Sequence, residues 1–198
     1  MAHFFDLHIH SVNSMDSTIR VRRIFDRALD LGLRGVAITD HNELTIAKSP
    51  FSEVLSIPGM EILVDEVKAD IIGLGISKPV SGAQPLVDVL KDIRAQGGVV
   101  IVPHPFSSSS NYPAIGEKIF DISRMVDGIE IMSPRTHVDN RRARTVAEQF
   151  RVAKIGSSDA HNENEIGRAV TVSPRPVNSV SDLLDNIRRR TVKAKLLR

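Results

Sequence analysis

The sequence predicts a closed α/β barrel, and three observations carry that reading. Short apolar runs that read as strands recur along all 198 residues and are mostly separated by helix-like stretches, the pattern of parallel strands joined by crossover helices. Residues able to bind metal follow those runs one after another: His8 and His10, His41, Glu61, His104, then Asp159 and His161. In a closed parallel barrel the C-terminal strand ends share one mouth, whereas an open doubly wound sheet, the competing arrangement, would separate these side chains.

Residues 4–9 read as the first strand, whose period of two puts His8 and His10 on one face. A polar loop over 11–17 carries Ser14 and Asp16. Ser17 or Thr18 is the expected cap of a helix running to about Leu31, with Ile19, Ile24, Ala28 and Leu31 as its apolar positions and Gly32 ending it. Residues 35–39 form a buried strand that leads into Asp40 and His41. A short helix is expected over 44–48; strands follow over 57–64 and 69–75, close enough to pair.

The helix over 85–96 has Pro85 in its first turn, Leu86, Val89, Leu90 and Ile93 as its stripe, and Gly97-Gly98 as its stop. A strand over 99–102 ends at Pro103-His104-Pro105, and the serine-rich stretch 107–111 reads as a loop. Residues 119–125 suggest a helical turn, 128–132 a strand carrying Glu130 and ending at Arg135, 138–150 a helix, and 152–155 a strand leading to Ser158-Asp159-Ala160-His161. A last strand over 169–172 precedes a basic C-terminal helix from about residue 179. With no repeat or linker, residues 1–198 read as one domain.

Apolar residues at 41% and charged residues at 25% exclude a disordered chain. The basic excess, 26 − 24 = 2, is too small to announce a nucleic-acid binder. Local clusters remain at Arg141, Arg142 and Arg144 and in a basic tail from Arg188 to Arg198; they read as solvated faces or as an attraction for phosphate. The absence of cysteine excludes thiolate metal sites and a cysteine nucleophile. No run approaches the roughly 18–20 apolar residues of a membrane span and no leader pattern is visible, so a cytoplasmic protein without a membrane partner is expected. Nothing in the pattern speaks to oligomeric state.

Five of the seven histidines follow strand-like runs, in company with Asp16, Glu61 and Asp159. Imidazoles with carboxylates suit Zn²⁺, Mn²⁺ or Fe²⁺, and so many donors exceed what one ion uses, so two or three divalent ions are expected. Ions so held acidify a water and clamp phosphoryl or carbonyl oxygens, which makes hydrolysis the natural reaction class. Glu130 reads either as a partner orienting a histidine or as a core-edge carboxylate. Arg135 and Arg168 read either as forks for a substrate phosphate or as surface residues, and His3 and His137 as surface residues.

The run of His8-Ile9-His10 with Ser14 and Asp16, Thr39-Asp40-His41, Pro58-Gly59-Met60-Glu61, Pro103-His104-Pro105 and Ser158-Asp159-Ala160-His161 resembles the polymerase and histidinol phosphatase (PHP) superfamily. Ile166-Gly167 and Thr171 continue the likeness. The resemblance implies a distorted (β/α)7 TIM-like barrel with a trinuclear metal centre at its mouth. His8, His10, Glu61 and Asp159 would hold one ion, Glu61 would bridge to a second also bound by His104, and Asp16, His41 and His161 would hold the third. Many members have a histidine where this chain has Asp70, which would ligate instead and favour Mn²⁺ or Mg²⁺ there, or else is an ordinary carboxylate beside a weak ion. The implied activity is hydrolysis of a phosphate ester of a small metabolite or nucleotide by a metal-bound hydroxide, with Glu61, Asp159 and His161 acting through the ions. A nuclease working on DNA or RNA ends is the alternative activity, and an RNA-binding subunit of the ribonuclease P type the alternative without catalysis.

Overall fold

The computed structural model describes residues 2–109, 113–135 and 137–197. Ser110 and Asn111 of the serine-rich loop and Arg198 of the basic tail lie outside the described residues. The strands are β1 (His3–Ile9), β2 (Gly35–Ile38), β3 (Leu55–Val64), β4 (Ala69–Leu74), β5 (Val99–Val102), β6 (Gly128–Met132), β7 (Ala153–Gly156), β8 (Ala169–Ser173) and β9 (Lys193–Leu196). The helices are α1 (Val21–Asp30), α2 (Leu86–Ala95), α3 (Asn140–Phe150) and α4 (Val180–Arg188), with a 3₁₀ turn over Gly116–Phe120.

All nine strands belong to one sheet in the order β7-β6-β5-β4-β3-β2-β1-β8-β9. β1, β2, β3, β5, β6 and β7 run the same way, while β4 and β8 run against their neighbours. The sheet curls into a nearly closed barrel. At the mouth, the Ile9 to Ala160 bridge joins the end of β1 to the chain beyond β7, with His10 N donating to Ala160 O at 2.9 Å. Lower down β8 fills the gap, and Thr171 Oγ1 donates to Gly156 O at 2.9 Å. Gly156 permits that approach, because a Cβ there would stand 2.6 Å from Val170 O.

The barrel interior is apolar: Phe5 and Leu7 of β1 pack with Ala37, Ile57, Ile72, Ile101 and Ile155. Leu183, Leu184 and Ile187 of α4 join the same cluster and stopper the end opposite the mouth. Ile9, in contrast, packs outside with Ile24 and Phe25 of α1. The face changes because the β1–β2 register shifts between Asp6 and Ile9, an irregularity that re-aims the strand. Phe5 and Leu7 thereby fill the core while His8 and His10 turn into the mouth.

Several local expectations are corrected. α1 starts at Val21 with Arg20 as a cap that uses no side chain; Ser17 is occupied elsewhere, its Oγ donating to His10 O at 2.7 Å. Residues 44–48 are not helical. Thr45 Oγ1 donates to Asp40 Oδ2 at 2.5 Å, a bond that ties this segment to the mouth in place of a helix. The basic tail is helical only to Arg188, and residues 193–196 form β9 against β8. Their alternation of lysine with Ala194 and Leu196 has the period of a strand. No helix among the described residues is long and apolar enough to cross a membrane.

Candidate metal centre

Each co-directional strand of the barrel delivers a side chain to the mouth. β1 brings His8 and His10, whose Nε2 atoms face one another at 3.0 Å. The turn after β2 brings His41, and β3 brings Glu61 from its middle. His104 follows β5, and Asp159 and His161 follow β7. β4 runs the opposite way, so its first residues, among them Asp70, lie at the same end. The loop after β1 adds Asp16.

Three overlapping groups of donors result: His8, Glu61 and His104; His8, His10 and Asp159; and His10, Asp16, His41 and His161. Glu61 sits at their junction. Its Oε1 lies 3.2 Å from both His8 Nε2 and His104 Nε2, and its Oε2 lies 2.9 Å from His41 Nδ1 and 3.5 Å from His10 Nε2. Asp159 Oδ1 lies 3.5 Å from His8 Nε2 and 3.4 Å from His10 Nε2. Asp16 Oδ2 is 3.1 Å from His161 Nε2 and 3.3 Å from His41 Nε2. Asp70 is outside these groups, its Oδ2 4.0 Å from His104 Nε2.

This donor set fits divalent cations. Imidazole nitrogens and carboxylate oxygens converge there, and the buried Asp159 Oδ2 has no hydrogen-bond partner among the described residues, facing only the Arg135 Nε ion pair at 3.6 Å. Burial works against charge on His8, but Glu61, Glu130 and Asp159 hold it well above its ordinary value. Burial would likewise raise Asp159, yet the neighbouring His8 and His10 pull it down to about 2. Asp70, pressed by burial and by Glu61, rises to about 8. His10 is lowered by burial. Two residues of the set also have left-handed backbones, His104 at φ 26° and Asp159 at φ 53°, conformations that cost on the order of 1–3 kcal/mol each outside glycine.

A layer of hydrogen bonds holds the set in place. Glu130, buried on β6, accepts from His8 Nδ1 at 2.9 Å, from the His104 backbone N at 3.0 Å, and from Ser157 Oγ. Arg135, four-fifths buried, donates to Asp159 O and to both oxygens of Glu165. Glu165 also accepts from the backbone N of His161 at 2.8 Å. Arg168 is exposed. Arg135 and Arg168 nonetheless line one cavity of about 270 Å³ with His137, Ser158 and Glu165. His137 is therefore half-buried beside the mouth and not simply a surface residue.

Three supporting residues escaped the sequence reading. Asp40 gathers Ser11 N at 2.6 Å, Ser11 Oγ at 2.7 Å and Ser14 Oγ at 3.0 Å, anchoring the loop that carries Asp16. Asp6 accepts from Ser158 N at 3.0 Å and Gly167 N at 2.8 Å, fixing the approach to Asp159; burial lifts its pKa to about 6. Glu165 completes the Arg135 contact. The signal available for Asp40 was its place between Thr39 and His41, and for Asp6 its place between the apolar Phe5 and Leu7.

Residues 6–105 match the PHP domain, and residues 137–192 match the PHP-associated family. The chain belongs to the PHP family. Members of that family are metal-dependent phosphoesterases. Two relatives come from Methanocaldococcus jannaschii: the uncharacterized protein MJ1587, 33% identical over 65% of this chain and 80% of its own length, and the uncharacterized protein MJ0417, 30% identical over 83% of this chain and 68% of its own. Among solved structures, a two-domain protein from Bacteroides vulgatus containing a predicted PHP-like metal-dependent phosphoesterase shares the fold at a TM-score of 0.80 and 18% identity, over 99% of this chain. The chain spans 65% of that protein's length. A lesion-specific endonuclease, EndoQ of Pyrococcus furiosus, matches at a TM-score of 0.71 and 12% identity, and this chain spans 58% of it.

Proposed function

We propose that this PHP protein hydrolyses a phosphate ester of a small metabolite or nucleotide with two or three divalent ions, Zn²⁺, Mn²⁺ or Fe²⁺, held at the barrel mouth. The observation that carries the reading is the junction at Glu61, whose two oxygens face histidines of all three donor groups. On this reading His8, His10, Glu61 and Asp159 hold one ion; Glu61 and His104, with Asp70 alongside, hold a second; Asp16, His41 and His161 hold the third. Bound ions supply a water acidified towards hydroxide and a positive anchor for phosphoryl oxygens.

The chain's own residues position that chemistry. Glu130 accepts the Nδ1 proton of His8, so Nε2 presents its lone pair to the mouth, and its other oxygen fixes the backbone at His104. Arg135 and Glu165 clamp the turn from Asp159 to His161. Glu61, Asp159 and His161 act through the ions, with Asp159 and His161 serving different ones. Arg168 and His137, in the chamber beside that turn, offer positive charge and hydrogen bonds to phosphate oxygens not held in the mouth.

The test is metal analysis of the purified protein together with turnover of nitrophenyl phosphate, a nucleotide panel and labelled oligonucleotides. We expect two or three ions per chain, release of phosphate from small esters, and, in His8→Ala, fewer bound ions and loss of phosphate release. Release of nucleotides from strand ends, with little turnover of small esters, would instead select a nuclease. RNA binding that survives chelation, in a protein without hydrolytic activity, would select a binding subunit.

A further inference from the structure

The two sides of the mouth differ in chemistry. On the β6–β7 side lies the chamber of Arg135, His137 and Arg168. On the β2–β4 side lies a second chamber of about 370 Å³, lined by Met15, Leu63 and Pro113 and by polar residues that include Asp16, His41 and Asp70, with no lysine or arginine among its described lining residues. Three of the proposed metal ligands form its inner wall, so whatever fills it touches the reacting centre.

Met15, which lines this chamber, is fully exposed, and outside the lining Val12 is 51% exposed and Ile46 68% exposed. These side chains belong to two segments that the structure ties together, through Asn13 Nδ2 donating to Thr45 Oγ1 at 2.8 Å. Exposed methionine and branched apolar side chains beside a cavity of ligand size are what an apolar guest would cover. A nucleic-acid strand has the opposite requirement, since its backbone needs a basic track.

We infer that the substrate is a phosphomonoester with an uncharged, apolar alcohol as leaving group, and that this group occupies the chamber between Met15 and Leu63. The inference rests on the phosphoesterase reading above and names its substrate class. The phosphoryl group lies over the donor set, and the bond from phosphorus to the alcohol oxygen, broken as water adds, points towards the β2–β4 side. The alcohol departs through the Met15 lip with one proton from water, leaving inorganic phosphate.

The experiment compares hexyl phosphate, benzyl phosphate and glycerol 1-phosphate with the manganese-loaded protein. All three release a primary alcohol, so intrinsic reactivity is close and differences report binding. The expected kcat/KM for the two apolar esters exceeds that of glycerol 1-phosphate by about tenfold or more. Met15→Lys, at a solvent-facing position that does not support the fold, lowers that ratio towards one. Equal kcat/KM for the three esters, a ratio unmoved by Met15→Lys, or a preference for single-stranded oligonucleotides overturns the inference. Should no ester turn over, the phosphoesterase reading itself fails, and calorimetry then decides the chamber: hexylphosphonate binding about tenfold tighter than methylphosphonate sustains it, and equal binding overturns it.

Discussion

Arg135 donates a hydrogen bond to the backbone oxygen of Asp159 at 2.5 Å, and Asp159 is a residue whose own backbone is left-handed. The same guanidinium pairs with Glu165 at 3.3 Å, and Glu165 accepts from the backbone N of His161. One arginine and one glutamate thus bracket a strained turn whose two side chains face different donor groups. An isolated left-handed aspartate would relax, and the bracket prevents it.

Arg135→Lys keeps the charge and loses the fork. The turn then loosens, and we expect metal affinity to fall by about 10–100-fold, with kcat following metal occupancy and KM little changed at saturating metal. Titration of chelated protein with Mn²⁺ or Zn²⁺ measures the first effect and steady-state kinetics the second. A rise in KM at unchanged metal content would instead make Arg135 a direct phosphate contact.

Glu130 supports the opposite wall, bonding His8 Nδ1 and His104 N from its two oxygens. Glu130→Gln retains the size and one acceptor, so the fold is kept while the His8 tautomer is less firmly set. The expected loss of metal affinity is again about 10–100-fold, and Glu130→Ala, which also strands the His104 backbone N, loses more. Preservation of metal content in both variants would reduce Glu130 to a filler of the core edge.

Asp70 gives a pH dependence that can be read without metal. Its pKa is raised from 3.8 to about 8 by burial and by Glu61. Between those values the unfolded chain has lost a proton that the folded chain keeps, so stability of the chelated protein falls as pH climbs through that window. Asp70→Asn removes the penalty. We expect it to raise the Tm of metal-free protein near pH 8 by about 2–4 °C, the size of an effect of the order of 1 kcal/mol in a chain of this length, and to leave Tm near pH 4 unchanged. With metal present the same variant lowers occupancy beside His104. A Tm gain of equal size at both pH values would contradict the assignment of the charge to Asp70.

How much of this was legible follows from which forces set each element. His8 and His10 could be placed on one side of a strand because the period of two is local, and the ends of β2, β5 and β7 could be placed at one mouth because closure of a parallel barrel demands it. The shift in β1 could not be read, since Phe5, Leu7, His8 and His10 all facing inwards contradicts strict alternation; only pairing with β2 breaks the period. The reversal of β4 was hidden in the short connection between Val64 and Ala69, which fits a hairpin but does not announce that Asp70 will reach the mouth. A short helix was expected over 44–48, and a tertiary bond from Thr45 to Asp40 overrides what helical propensity the segment has. Asp40 itself looked like a ligand's neighbour and is the anchor of the loop before it.

Asp16 is the most exposed of the proposed ligands, at 54%, and sits on a loop held by Asp40. Its carboxylate faces His41 and His161, while His8, His10, Glu61, His104 and Asp159 are buried and bonded among themselves. Removing it should therefore empty one position and leave the rest. We expect Asp16→Ala to bind about one ion fewer per chain by elemental analysis, to retain the buried ions through gel filtration, and to change the stability of chelated protein by no more than about 0.5 kcal/mol, the usual range for a surface substitution. Its kcat should drop while the metal dependence of the remaining activity becomes simpler, losing the weakest binding phase. Loss of all ions together would mean that the three groups form one cooperative cluster, and an unchanged metal count would remove Asp16 from the ligand set.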